Sequence, residues 1–319
     1  MLPRLQGDAS FKIPMTPENR CVLVVGAASQ IGYHLLPCLA DAGFDAAAVS
    51  RFPAPRDTRS ARWYELNLAE PSGLVDSGLR PAAVIGLAPI RILPALVDTF
   101  AALGTARIVA FSSTSRFTKS GSADPAEREL AATLKRSEET FARLCAERGI
   151  GWTVFRPTLV YSPGLDRNVS EIARFISRLG FFPILGEGRG RRQPVHAADL
   201  AAACVAALQV PRSVNRAYDL SGGETLTYRE MVERIFRGLG RRPRIVRVPP
   251  GLLKAALSTA RVLPRFRTLS AELVTRMNMD MCFDHADATR DLGFNPRTFE
   301  FSLGPTGGSA GEQYPEYAR

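Results

Sequence analysis

The sequence predicts a doubly wound α/β fold on a parallel sheet, completed by a smaller carboxy-terminal lobe. Two observations carry that expectation. Residues 21–51, CVLVVGAASQIGYHLLPCLADAGFDAAAVSR, read as a strand, a glycine-bearing turn, a helix and a second strand. Beyond them, short apolar runs rich in β-branched residues alternate with helical stretches at the spacing of parallel strands joined by helical crossovers.

Cys21 to Val25 is apolar at every position, which suits a strand buried on both faces. Gly26 ends it, because a residue without Cβ lets the chain turn tightly. The apolar-periodic stretch Ile31 to Ala42 follows as a helix, and a second strand begins after Gly43. Ala82 to Leu87, Arg107 to Phe111 and Trp152 to Phe155 read as the fourth, fifth and sixth strands, with helices near 92–103 and 125–148 between them. Asp199 to Leu208 reads as a helix returning beside the sheet. AYDLSGGETLTYREMVERIFRGLGR then gives a strand, a Gly-Gly loop and an amphipathic helix with Met231, Ile235 and Leu239 on one stripe, a stripe expected to pack in a core.

The domain boundaries follow. Residues 1–19 are expected to be a flexible amino-terminal segment and 20–160 the dinucleotide-binding domain, with 193–220 returning to it. Residues 161–192 and 221–303 form the substrate lobe, and 304–319, with Gly-Gly, Ser and Pro, a flexible tail.

The dinucleotide reading rests on the turn after the first strand. Gly26, Ser29 and Gly32 stand in a G-x-x-S-x-x-G pattern. Gly32 lets the helix pack closely on the sheet, with its amino terminus facing an anionic pyrophosphate. Ser29 replaces the usual middle glycine; its small side chain admits a phosphate and offers it a hydrogen bond. The spacing alone recurs in many α/β proteins, and the strand before it with the helix and strand after it give it meaning as a Rossmann unit. The second strand ends in Ser50 and Arg51 rather than in an acid. A guanidinium cannot accept from ribose hydroxyls but matches a phosphate, so Arg51 favours NADP, with NAD also allowed; a solvated surface arginine is the alternative. Ligands of such sheets bind at the carboxyl edge. The cofactor candidates are therefore Gly26, Ser29, Gln30, Ile31, Gly32, Arg51, Asn67, Leu68, Leu87 and Ala88, and Ser112-Ser113-Thr114 and Arg156-Pro157-Thr158 lie on the same edge.

Composition bounds the remaining possibilities. The chain has 319 residues, 45% of them hydrophobic, as in a soluble globular enzyme. Its five cysteines are scattered, odd in number and mostly in apolar segments, which fits buried thiols in a reducing compartment. Three histidines (His34, His196, His285) lie far apart, so no metal site is expected. The first nineteen residues lack an apolar core, and no apolar run approaches the roughly twenty residues of a membrane span, so the expectation is a cytoplasmic protein. The net charge of +10, with arginines at 189, 191, 192, 241, 242, 244 and 247, suits a phosphate-bearing small-molecule substrate or an anionic membrane face. No nucleic-acid-binding signature accompanies it. The segments 181–185 and Leu252 to Phe266 either bury against the sheet or form an apolar and basic surface, which leaves a peripheral membrane contact open. A monomer or homodimer is expected.

From about residue 20 to 303 the chain resembles the extended short-chain dehydrogenase/reductase superfamily, in its NAD(P)-dependent epimerase/dehydratase branch acting on nucleotide sugars. The resemblance is carried by VVGAASQIG, FSSTS after the fifth strand, the helix holding Lys135 and Glu139, FRPTLVYSPG, RQPVHAADLA and FDHADATRDLGFNP, in that order. It implies that Thr114 or Ser113 orients the substrate hydroxyl or carbonyl and that Lys135 holds the nicotinamide ribose. It also implies that Asn168 and Arg192 meet the substrate, Arg192 at a phosphate. His196, in VHAAD, is read as a structural residue at the junction of the lobes.

One departure stands out. The family places a tyrosine four residues before the lysine as the acid/base of hydride transfer; here that position is Ala131. No tyrosine lies between Tyr64 and Tyr161, and by topology Tyr161 and Tyr33 are the nearest phenols. Three readings remain: an oxidoreductase or epimerase whose acid comes from Thr114, water or the substrate; a reaction needing less proton transfer; or a non-catalytic NADP-binding scaffold or redox sensor. Lys135 and the hydroxyl cluster favour the enzyme. The competing reading of Lys135 is a solvated charge on a helix that also carries Arg136, Glu138 and Glu139.

Overall fold

The computed structural model describes residues 19–51, 60–248 and 277–302. The expected tail 304–319, the stretch Leu252 to Phe266 and all but the last residue of the expected flexible segment 1–19 lie outside them.

Strand β1 (Cys21–Val25) leads through the glycine turn into α1 (Gln30–Asp41), β2 (Asp45–Ser50), β3 (Arg62–Glu65) and the short α2 (Ser72–Asp76). The chain then crosses to β4 (Ala83–Gly86), α3 (Val97–Ala102), β5 (Arg107–Phe111), the single turn α4 (Ser115–Thr118), α5 (Pro125–Glu147) and β6 (Gly151–Pro157). The helix expected near 92–103 is split: Ile90–Leu96, which contains Pro94, winds as a 3-10 turn before α3 begins. Proline's missing N–H and fixed φ oppose a continuous α-helix there.

The next segments leave the sheet as β7 (Val160–Tyr161), α6 (Val169–Leu179), β8 (Phe182–Leu185), β9 (Arg191–Arg192) and β10 (Val195–His196). Helix α7 (Ala197–Gln209) and β11 (Arg216–Leu220) return to it, and β12 (Leu226–Thr227), α8 (Tyr228–Gly238), β13 (Ile245–Val248) and α9 (Ala286–Leu292) complete the described chain.

Seven strands form the main sheet in the order β11-β6-β5-β4-β1-β2-β3, and every neighbouring pair is parallel. The order reverses between β1 and β4, which opens a crevice at their carboxyl ends. Alternation along β1 explains its unbroken apolar run. Val22 and Val24 pack with Leu35 and Leu39 of α1 and Cys204 of α7, whereas Leu23 and Val25 pack with Phe100 of α3 and Phe141 of α5. Both faces of the sheet are thereby covered.

The lobe has its own core, in which Ile176 of α6, Phe182 and Ile184 of β8, Met231 and Ile235 of α8, and Phe299 are buried together. Phe182 and Ile184 therefore settle the burial reading for much of 181–185, while Phe181 keeps 37% of its surface exposed. Leu239 is the carboxyl cap of α8 and only half-buried. All five cysteines are unpaired, and burial pushes the Cys145 thiol up to about 12. Among the described residues no helix is long and apolar enough to cross a membrane.

Candidate functional site

A cavity of about 750 Å³ lies at the crevice. Its walls are the phosphate turn (Gly26, Ala28, Ser29), the end of β2 (Val49, Ser50, Arg51), the loop after β3 (Leu66 to Ala69) and the segment after β4 (Leu87, Ala88, Pro89). Seven of the sequence candidates meet there: Gly26, Ser29, Arg51, Asn67, Leu68, Leu87 and Ala88.

The turn is shaped by its glycines. Gly26 has φ +78, and a Cβ on it would come within 2.8 Å of the Ala88 nitrogen. The N–H groups of Gly26 and Ala27 donate to the Val49 carbonyl at 3.0 and 3.1 Å, and those of Leu87 and Ala88 to the Val25 carbonyl at 2.8 and 3.2 Å. A Cβ on Gly32 would stand 1.9 Å from the Ala27 carbonyl oxygen, so α1 meets the turn only because residue 32 has no side chain. Ser29 caps α1, its Oγ accepting from the Gly32 N–H at 3.1 Å, which leaves the hydroxyl hydrogen to donate outward. Gln30, Ile31 and Gly32 lie behind the turn rather than in the cavity wall. Ile31 packs in the core, and the Gln30 side-chain oxygen is buried with no hydrogen-bond partner.

Two arginines that the sequence reading did not single out also line the cavity: Arg91, in the 3-10 turn after β4, and Arg167, in the loop between β7 and α6. Arg91 follows a strand end within a few residues, which is a usable signal. Nothing in the local sequence marks Arg167.

The hydroxyl cluster sits where β5 ends. Thr114 is buried, and its hydroxyl donates to the Pro157 carbonyl at 3.1 Å. Ser112 donates to Glu138 Oε1 at 2.5 Å. Ser113 is half-buried; its Oγ accepts from the Ser115 N–H at 3.1 Å, so its hydroxyl proton is the one in the cluster that these bonds leave uncommitted. Of the two residues expected to orient a substrate, Ser113 is thus the one free to donate.

On α5, Ala131 is buried and Lys135 exposed, with no ion pair holding Lys135 among the described residues. Glu138 departs from the solvated-charge reading of this helix: its side chain is 1% exposed and pairs with both Arg116 and Arg156, the latter through Nε and Nη2 at 2.9 and 2.7 Å. Arg156 also faces Asp219 at 3.6 Å. Burial holds the Asp219 carboxyl above its ordinary range against that attraction. Phe117 lies beneath both guanidinium groups, 5.3 and 5.4 Å from its ring centre.

The two phenols considered for the missing acid differ in their surroundings. Tyr161 is fully buried against His196 and Phe299, and burial pushes its hydroxyl up to about 12. Tyr33 is 46% exposed on α1, edge-on to His34. His196 caps α7, its Nδ1 accepting from the Ala198 N–H at 3.1 Å, as a structural residue would. Asn168 is exposed at the amino cap of α6 without a side-chain capping bond. Arg192 is buried; its Nη1 donates to the carbonyls of Arg191 and Met279 at 2.8 and 2.6 Å, and its guanidinium stacks on Tyr228. Among the described residues no cluster of His, Cys, Asp and Glu is placed to hold a metal ion.

With this geometry in hand, comparison with known proteins places the chain. Residues 90–221 match the model of the NAD dependent epimerase/dehydratase family. The match runs from the turn after β4 to just past β11, and over this stretch the chain is similar to that family, in line with the resemblance.

Two curated relatives match parts of it. One is the mitochondrial NADH dehydrogenase [ubiquinone] 1 alpha subcomplex subunit 9 of Arabidopsis thaliana, 34% identical over 104 residues, covering 32% of this chain and 26% of that protein. The other is the uncharacterized protein y4nG of Sinorhizobium fredii, 29% identical over 213 residues, covering 63% and 52%. The chain thus spans about a quarter and about half the length of these relatives.

Solved structures agree in fold. The UDP-glucose 4-epimerase of Thermotoga maritima superposes with a TM-score of 0.67 at 20% identity, covering 88% of this chain and 94% of that one. MoeE5 in complex with UDP-glucuronic acid and NAD gives 0.67 at 24%, covering 87% and 94%. Epimerase Mth375 of Methanothermobacter thermautotrophicus gives 0.69 at 16%, covering 93% of each.

Proposed function

We propose that this protein binds NADP(H) in the crevice between β1 and β4 and acts as an oxidoreductase or epimerase on a nucleotide-sugar-like substrate, without the phenolic acid of its family. One observation carries the reading: the cavity of about 750 Å³ brings the glycine turn, Ser29, Arg51 and the loops after β3 and β4 to one place. The fit to a dinucleotide rests on that turn, where a Cβ on Gly26 or Gly32 would strike backbone atoms, so the cradle exists only for glycine.

In this reading the amino terminus of α1 and the Ser29 hydroxyl receive the pyrophosphate, and Arg51 pairs with the 2′-phosphate. Lys135 holds the nicotinamide ribose, and Ser113 donates to the reacting oxygen of the substrate. Asn168 and Arg192 lie on the lobe side as contacts for the nucleotide. When bound, the cofactor supplies the hydride donor or acceptor. Ala131 carries no proton, so proton movement falls to Ser113 with solvent or with the substrate itself. The five unpaired thiols suit a cytoplasmic setting.

A second reading, a non-catalytic NADP(H)-binding scaffold or sensor, is favoured by the buried Ala131 and by the commitment of the Ser112 and Thr114 protons to Glu138 and Pro157. One assay separates the two. NADPH oxidation, or cofactor-dependent isomer exchange, across a panel of keto-sugar nucleotides is expected from an enzyme. Tight NADPH binding with no turnover across the panel selects the scaffold.

A further inference from the structure

The cavity wall is built from residues before position 96 with one exception, Arg167, which reaches it from the lobe side. We infer that Arg167 is the lobe's hold on the cofactor pyrophosphate, so that cofactor occupancy and the position of the substrate lobe are linked through this side chain. The inference rests on the cofactor reading above.

Three features of the loop that carries it support the assignment. Asp166, buried at 4% exposure, anchors the loop from below: its carboxylate accepts from the N–H groups of Ser162, Val169 and Ser170 at 3.3, 2.6 and 3.1 Å and from the Ser170 hydroxyl at 2.8 Å. A residue next to such an anchor has its backbone fixed, which lowers the entropy lost when its side chain engages a ligand. The loop is also pinned to the phosphate-binding helix, because His34 of α1 and the Ser162 hydroxyl are 3.0 Å apart. His34 lies one turn into α1, whose first turn faces the phosphate site. In this assignment Arg167, a cavity-lining residue on a loop tied to α1, takes the pyrophosphate end, while Arg51 stands at the end of β2, on the side where the ribose phosphate is expected. A guanidinium there adds charge-assisted hydrogen bonds to an anion shared by both nicotinamide dinucleotides.

The shared anion gives the test its discrimination. Binding of NADPH and of NADH to the full chain is measured by fluorescence titration for the wild type, Arg167→Ala, Arg167→Lys and Arg51→Ala. Arg167→Ala is expected to weaken both dinucleotides about tenfold and equally, and Arg167→Lys to recover part of the loss. Arg51→Ala is expected to weaken NADPH alone. Hydrogen exchange of the amides of residues 162–170 is expected to slow on NADPH addition in the wild type and much less in Arg167→Ala. Unchanged affinities and unchanged protection in a variant with wild-type melting temperature would overturn the inference while leaving the cofactor reading intact. A loss confined to NADPH would also overturn it, by moving Arg167 to the 2′-phosphate. Failure of the wild type to bind either dinucleotide would overturn both.

Discussion

The Ser112 hydroxyl donates to the Glu138 carboxylate at 2.5 Å, tying the end of β5 to the helix that carries Ala131 and Lys135. Arg116 and Arg156 complete the cluster, and all three charged side chains are nearly closed to solvent, at 12%, 11% and 1% exposure. Removing one partner of such a group leaves uncompensated charge in a poorly solvated place. Glu138→Gln is expected to lower the free energy of unfolding by about 3 kcal/mol, read by denaturant titration. A loss below about 1 kcal/mol would show that the cluster behaves as surface pairs do.

The phosphate turn predicts a sharper loss. Gly26→Val places a branched side chain where even a Cβ would stand 2.8 Å from the Ala88 nitrogen, on a backbone with φ +78. Cofactor binding should disappear while circular dichroism still reports an α/β fold. Wild-type affinity in a folded variant would mean that the cofactor does not use this turn.

His34 and His196 predict a pH dependence. Their rings are 5.2 Å apart at the lobe junction, near Tyr161 and the Asp199–Arg297 pair. Burial first, then Arg297 and the neighbouring imidazole, hold His196 down at about 4; burial and Arg297 lower His34 as well. Between the unfolded value of about 6.5 and the folded value, the unfolded chain binds more protons than the folded one. The stability of the neutral pair is therefore full above about pH 6.5 and is lost as pH falls toward 4. The melting temperature should drop across that window. His196→Asn keeps an acceptor at the α7 cap and should flatten the drop. A variant with an unchanged slope would contradict the assignment.

Installing the family's phenol tests the enzyme reading. Ala131 is only 3% exposed, so Ala131→Tyr must displace its neighbours, at a cost of about 1–3 kcal/mol of stability. If the site keeps family geometry and lacks only the acid, turnover should rise by about 10² to 10⁴. No rise in a folded variant that still binds cofactor would show that another group moves the proton, or that no reaction occurs.

The sheet was legible because its strands are buried on both faces and so read as short apolar runs; β1, β5 and β6 fall within a few residues of their expected places. The glycine turn was legible because Gly26 and Gly32 answer to steric demands that no other residue meets. Glu138 was not, since a carboxylate on a charged helix reads as solvated until two arginines from elsewhere in the chain, Arg116 and Arg156, are brought onto it. Arg167 was not, because its place in the cavity depends on Asp166 and on the contact between Ser162 and His34, which no local pattern encodes. The choice between Ser113 and Thr114 likewise turned on the Pro157 carbonyl, 43 residues further along the chain.

The central claim is that the crevice holds NADP(H) with Arg51 at the 2′-phosphate. Its most direct measurement is the ratio of NADPH to NADH dissociation constants for the wild type and for Arg51→Ala. The account predicts that the wild type binds NADPH about tenfold to a hundredfold more tightly, and that the variant loses most of this preference with its NADH affinity nearly unchanged. Equal binding of the two dinucleotides by the wild-type protein would contradict it.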